Sequence, residues 1–202
     1  MLPSARRAAR TLAAALLVLL AAAEGAAEGN GVLGLFFDAN ASACSGRIAP
    51  GGLATLYVLL APDGDTRGGI SGAEFRVTTA ATGYRLFAEE ALLPNLIVKL
   101  GEALGAGTNV AANGCPSGLV IPILRFQVQN LSGGNDAVVG IDAKNPPQNP
   151  DFPCALVTLC DLPAYTKVCI RPGKAVLNPT GSVACGSGAA SAEWGGVKEL
   201  YR

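Results

Sequence analysis

The sequence contains no histidine. Without an imidazole neither a Ser-His-Asp triad nor a Cys-His dyad can be assembled, and histidine-ligated zinc is excluded. Methionine occurs once, at the first position, and tryptophan once. Aromatic residues make up 5% of the chain, too few for the row of exposed Trp and Tyr faces that a sugar-binding platform presents. Charge is scarce as well: 15% of residues are charged, and 15 Lys+Arg balance 15 Asp+Glu. There is no basic field to attract nucleic acid and no motif that reads RNA or DNA. No Cys-x-x-Cys pair is present, and the spacing of Cys154, Cys160 and Cys169 fits no zinc knuckle. The composition calls for no cofactor.

What is present begins with a targeting signal. Arg6, Arg7 and Arg10 form a positive n-region, and Leu12–Ala23 is an uninterrupted apolar run followed by small residues. This predicts a signal peptide over residues 1–23, with cleavage after Ala23 or as late as Ala27. The run is shorter than the roughly 20 residues of a comfortable transmembrane span, so no stable membrane span is expected once it is removed. Cleavage takes away three of the 15 basic residues, leaving 12 against 15 acidic ones and a net charge of −3. The expected location is outside the cytoplasm, secreted or in the cell envelope (periplasm or outer surface).

Six cysteines, Cys44, Cys115, Cys154, Cys160, Cys169 and Cys185, form an even set, and an oxidising compartment makes disulfides their default. Six cysteines allow 15 pairings. The Pro-rich segment Asn145–Pro179 carries Cys154, Cys160 and Cys169 between short β-type runs. Too poor in apolar residues to hold itself in place, it reads as the stapled edge of a β-domain. Cys160 and Cys169 bracket a hairpin turning at Leu162–Tyr165, which predicts a bridge between them. Cys44–Cys115 and Cys154–Cys185 are then the expected remaining pairs.

At 202 residues, half of them apolar and 26 of them Gly, the chain suits one turn-rich β-domain, expected over residues 32–184. Val32–Phe37 is a short apolar strand. Thr55–Leu60 is apolar on both alternating faces, which predicts a central strand covered on both sides. Ser71–Thr79 alternates cleanly, with Ala73, Phe75 and Val77 on one face and Glu74, Arg76 and Thr78 on the other. Leu124, Phe126 and Val128 oppose Arg125, Gln127 and Gln129 in Leu119–Gln129, where Pro122 predicts an edge or a bend. Tyr84–Phe87, Leu96–Leu100, Ala137–Asp142 and Lys174–Leu177 complete the main strands, and Gly101–Gly118 reads as a loop. About eight to ten short strands spaced by Gly/Pro turns predict an antiparallel β-sandwich, Ig- or cohesin-like, or a jelly roll.

The C-terminal stretch 190–202 breaks the strand pattern. Trp194, Val197, Leu200 and Tyr201 fall on one face at helical spacing, Ser191 suits an N-cap, and Lys198 and Arg202 suit the negative end of the dipole. This predicts a short amphipathic helix that either docks on the sandwich or serves as an attachment tag read by a partner.

Carboxylates are the remaining source of chemistry. Glu89 and Glu90 are adjacent, so on a strand they point to opposite faces and cannot flank one bond. Asp136 and Asp142 stand at either end of a strand, about 20 Å apart at roughly 3.3 Å per residue, too far for a glycosidase pair. Asp63-Gly64-Asp65 resembles part of a calcium loop, but it lacks the closing Glu of an EF-hand and reads more simply as an Asp-Gly turn. Asn40-Ala41-Ser42 and Asn130-Leu131-Ser132 match the glycosylation sequon.

GVLGLFFD followed by Cys44, GISGAEFR at Gly69–Arg76, the block NPPxNPxFPCxLVTLCDxPxxTKVC and the tail W-x-x-V-K-x-L-Y-R together resemble a group of uncharacterised secreted bacterial proteins. More distantly, the order of strands is similar to cohesin-type sandwiches, extracellular modules that bind protein partners. The resemblance implies a non-catalytic module for protein interaction or a structural role, with a protein partner in the cell envelope. A carboxylate-dependent extracellular hydrolase or a glycan-binding module is the alternative.

Overall fold

The computed structural model describes residues 31–185, so the predicted signal peptide and the tail bearing Trp194, Val197, Leu200 and Tyr201 lie outside the described residues. Among those residues the chain is all-β, in two facing sheets. One sheet has the order β12 (Arg171–Pro172), β1 (Val32–Phe36), β3 (Leu53–Ala61), β8 (Ile121–Asn130), β5 (Tyr84–Ala91). The other runs β11 (Lys167–Cys169), β10 (Leu156–Leu159), β4 (Ile70–Thr79), β9 (Ala137–Asp142), β13 (Lys174–Leu177), β2 (Ser45–Gly46). It is extended by β7 (Gly107–Ala112), which pairs with β4, and by β6 (Leu96–Glu102), which pairs with β7.

The alternation read from the sequence decides which face is buried. Ala73, Phe75 and Val77 of β4 and Leu124, Phe126 and Val128 of β8 all lie in the central core. Leu56, Val58 and Leu60 of β3 join them, while Leu59, on the opposite face, is buried with Phe36, Ala41 and Cys44. The run Thr55–Leu60 is therefore covered on both sides, as its lack of alternation predicts. Pro122 sits opposite Leu59, where the β3–β8 register shifts, so the irregularity falls at the residue that has no N–H to donate.

The sandwich is mixed rather than purely antiparallel, because the two-residue strands β12 and β2 pair in parallel with β1 and β13. The predicted loop Gly101–Gly118 contains β7, whose Thr108, Val110 and Ala112 face inward. Its Gly- and Ala-rich sequence carries little strand propensity of its own, and pairing with β4 and β6 supplies the order. Pro62–Gly69 holds a 3-10 helix, Gly64–Gly68, rather than an open loop.

All three expected disulfide pairings are corrected. The bridges are Cys44–Cys185, Cys115–Cys160 and Cys154–Cys169. The expected hairpin is present as β10 and β11, but its register joins different cysteines across it. Antiparallel pairing sets Thr158 opposite Lys167 and Leu156 opposite Cys169, so Cys160 lies by the turn and Cys169 at the open end, beside Cys154. Cys160 turns instead toward the 114–116 segment, where Ile70 N–H donates to Pro116 O and Cys160 N–H to Gly69 O.

Candidate functional site

The carboxylates are mostly anchors for the backbone. Asp63 caps the 3-10 helix through Gly64 N–H at 2.8 Å and pairs with Arg67 at 2.7 Å, which together hold its carboxyl below the usual range. Asp38 is pushed up by burial, but the N–H groups of Ser42, Asn40 and Ala43 and the Ser42 hydroxyl outweigh that and lower it. Asp142 is lowered by Arg76 across β4 and β9, and Asp136 by Thr180. Glu89 and Glu90 do diverge: Glu89 accepts from Ala103 N–H at 2.8 Å, while Glu90 accepts from Arg125. Lys99 Nζ lies 2.8 Å from Glu89 Oε1, an ion contact without hydrogen-bond alignment.

One cavity of about 440 Å³ brings Asp65 and Asp161 together, a juxtaposition invisible in sequence. Asp161 is engaged by the Thr166 hydroxyl and N–H, which close the turn and lower its pKa. A glycosidase general acid needs the opposite shift, so Asp161 is unsuited to that role. Among the described residues no group of three or more acidic or cysteine side chains is placed to hold a metal ion. Of the two sequons, Asn130 is 1% exposed and its amide donates to Ile48 O and accepts from Gly133 N–H, so it has no room for a glycan.

Two surfaces have the shape of binding sites. The first is a trough of about 370 Å³ on the outer face of the second sheet. Val98 and Leu100 of β6 form one wall, Tyr165 and Lys167 the other, and Gly72, Ala111 and Thr158 lie between them. Gly72 is needed there because a Cβ would sit 2.8 Å from Val110 O, so β4 and β7 approach closely. Glu74, predicted to face solvent, is 6% exposed within this trough. Its Oε1 accepts from Gln148 N–H at 2.8 Å. The near wall continues along β6 as an apolar ridge: Leu96, Ile97, Val98 and Leu100 are all exposed, Ile97 at 66% and Leu100 at 58%.

The second surface is a cleft of about 500 Å³ beside β1, β9 and the β12–β13 connection. Val32, Phe36, Val138 and Pro172 make it apolar, and Gly34, Gly140 and Gly173 keep it open. Gly173 N–H donates to Leu33 O at 2.8 Å, and a Cβ on Gly173 would meet Gly34 Cα at 2.8 Å, so the backbones touch there. The Cys44–Cys185 bridge and Ala184 form one wall.

Sequence reasoning placed β6 as a strand but had no signal for its exposure, because LIVKLGE reads like a buried strand until its neighbours are known. The trough wall at Tyr165 was equally hidden, since it depends on the turn joining β10 to β11. The predicted tail residues Trp194, Val197, Leu200 and Tyr201 lie outside the described residues.

No family model matches the chain, and no curated protein matches it. Among solved structures, it is similar to the cohesin module of a family 33 glycoside hydrolase from Clostridium perfringens, with a TM-score of 0.49 and 11% identity over 74% of this chain and 98% of that one. It is similar at 16% identity and a TM-score of 0.48 to the sixth cohesin of Acetivibrio cellulolyticus scaffoldin B, solved in complex with a mutant Cel5 dockerin, covering 75% and 98% of the two chains. For the seventh ScaB type I cohesin of Pseudobacteroides cellulosolvens the values are 11% and 0.47, over 77% and 94%.

Proposed function

We propose that the protein is an exported, non-catalytic interaction module that holds a protein partner in the cell envelope, at the trough and ridge built on β6. The observation that carries this reading is the ridge itself: four large apolar side chains left in water on one seven-residue edge strand. Natural β-proteins blunt such edges, and contiguous exposed apolar surface marks interaction sites. Covering these side chains gains on the order of several kcal/mol at about 25 cal/mol per Å². The bulge at Leu96/Val98 and the Lys99–Glu89 contact interrupt the strand as a template for backbone pairing. The partner therefore docks on side chains, with an apolar ridge of its own laid along Val98 and Leu100 toward Tyr165. Export is supported by the N-terminal signal pattern and by the pairing of all six cysteines. A non-catalytic role is supported by Asp38, Asp63, Asp136, Asp142 and Asp161, whose bonds to backbone, hydroxyls and arginines lower their pKa values.

Placing a photo-crosslinking residue at Ile97 tests the site, with exposed Leu131 on the opposite sheet's connecting turn as the control position. A discrete adduct from Ile97, absent from Leu131 and lost when Leu100→Lys is added, is expected, followed by measurable binding of the purified partner. Equal crosslinking from both positions, or an adduct indifferent to Leu100→Lys, would move the interface elsewhere.

A further inference from the structure

The second surface points to a different occupant and does not rest on the function proposed above. The described chain reaches Cys185 inside the wall of the cleft, held there by its bridge to Cys44. Residues 186–202 start from that wall and contain the sequence's only tryptophan, Trp194, with Val197, Leu200 and Tyr201. We propose that this C-terminal segment folds back into the cleft of its own chain, with Trp194 seated over Gly34, Gly140 and Gly173.

Reach, shape and chemistry agree on this. Trp194 is nine residues beyond Cys185, and at about 3.3–3.6 Å per extended residue it can reach any point within roughly 30 Å of the wall. The cleft's volume of about 500 Å³ lies within the roughly 300–1,000 Å³ of cavities that enclose ligands, so an indole and one aliphatic neighbour fit. Val138, 39% exposed, and the exposed Pro172 carry the surface that an indole removes from water, above a buried floor of Val32 and Phe36. A tether this short holds the segment at an effective concentration on the order of millimolar, so even weak apolar complementarity keeps it docked. The glycines explain why the cleft is open: a side chain at Gly140 would project into it with nothing closer than Thr78 Oγ1 at 3.7 Å.

Because Trp194 is the sole tryptophan, its fluorescence reports the docking directly in the full chain. The emission should be blue-shifted from that of free tryptophan and protected from acrylamide, independent of protein concentration. Gly140→Leu should fill the cleft without straining the backbone. It should shift the emission to the red and raise the quenching constant several-fold, while far-ultraviolet circular dichroism stays unchanged. Leu131→Ala serves as a distant substitution that leaves the emission where it was. A tryptophan as accessible as the free amino acid in the unmodified chain overturns the proposal. So does a protected tryptophan that ignores Gly140→Leu, or protection that disappears on dilution, which would assign the cleft to the tail of a second copy.

Discussion

Two edges of the second sheet, β11 and β6, are built on opposite principles. At one of them β11 is three residues long, tied by Cys154–Cys169, and preceded by a turn in which Asp161 accepts from Thr166. At the other, β6 runs seven residues with no disulfide and presents Leu96, Ile97, Val98 and Leu100 to water. Short length, covalent closure and charge are the ordinary means of protecting an edge, and one end uses them. The β6 end keeps only a bulge and the Lys99–Glu89 contact, enough to discourage backbone pairing while leaving side chains available. The contrast separates edges that serve the fold from an edge that serves recognition.

The largest expected effect comes from removing the staples. In the chain-entropy model a bridge closing 141 residues is worth about 5 kcal/mol, one closing 45 about 4, and one closing 15 about 3. Paired Cys→Ser replacements should therefore destabilise in the order Cys44/Cys185, Cys115/Cys160, Cys154/Cys169 when unfolded in denaturant. If loss of Cys154–Cys169 proved the most damaging, the β11 edge would owe its order to the bridge itself rather than to chain entropy.

Next in size is a buried polar joint. Asn130→Ala strands Gly133 N–H at the end of β8 and leaves Ile48 O with the Asn178 amide as its only donor. A cost of about 1–3 kcal/mol is expected from unsatisfied buried groups, measurable as a lowered unfolding midpoint. A neutral result would mean that water replaces the amide.

Acid should loosen the stapled end before the β6 end. At that end Asp161 is lowered by Thr166, so the native state holds this proton less tightly than the unfolded chain does. Depressed carboxyls contribute stability that is complete above the ordinary value of about 3.9 and is lost as pH falls through the folded pKa. Amide exchange followed from pH 5 to 3 should show the Asp161–Thr166 turn losing protection first. Earlier loss at β6–β7 would reverse the ranking of the two ends.

The smallest expected effect on stability is at the ridge. Leu100→Lys removes an exposed side chain and should change unfolding free energy by less than about 0.5 kcal/mol, while removing partner capture. A clear drop in melting temperature would show that Leu100 packs within the sandwich and is no recognition residue.

Local periodicity was legible in the residues alone for the longer strands. Alternation in Ser71–Thr79 and Leu119–Gln129 named the core faces, and the unbroken run Thr55–Leu60 announced a strand covered on both sides. The even cysteine set announced closure by disulfides. Tertiary structure decided what depends on neighbours distant in sequence. Which cysteines join was one such question, because pairing register rather than proximity along the hairpin brings sulfurs together. Whether Gly107–Ala112 forms a strand was another, because β4 and β6 supply its order. The last was whether an apolar strand is buried or presented. LIVKLGE at β6 is as apolar as a core strand, and only its place at the rim beyond β7, where it pairs with β7 alone among the described residues, leaves Val98 and Leu100 in water. Burial is a property of the surroundings, and the residues of one strand cannot encode it alone.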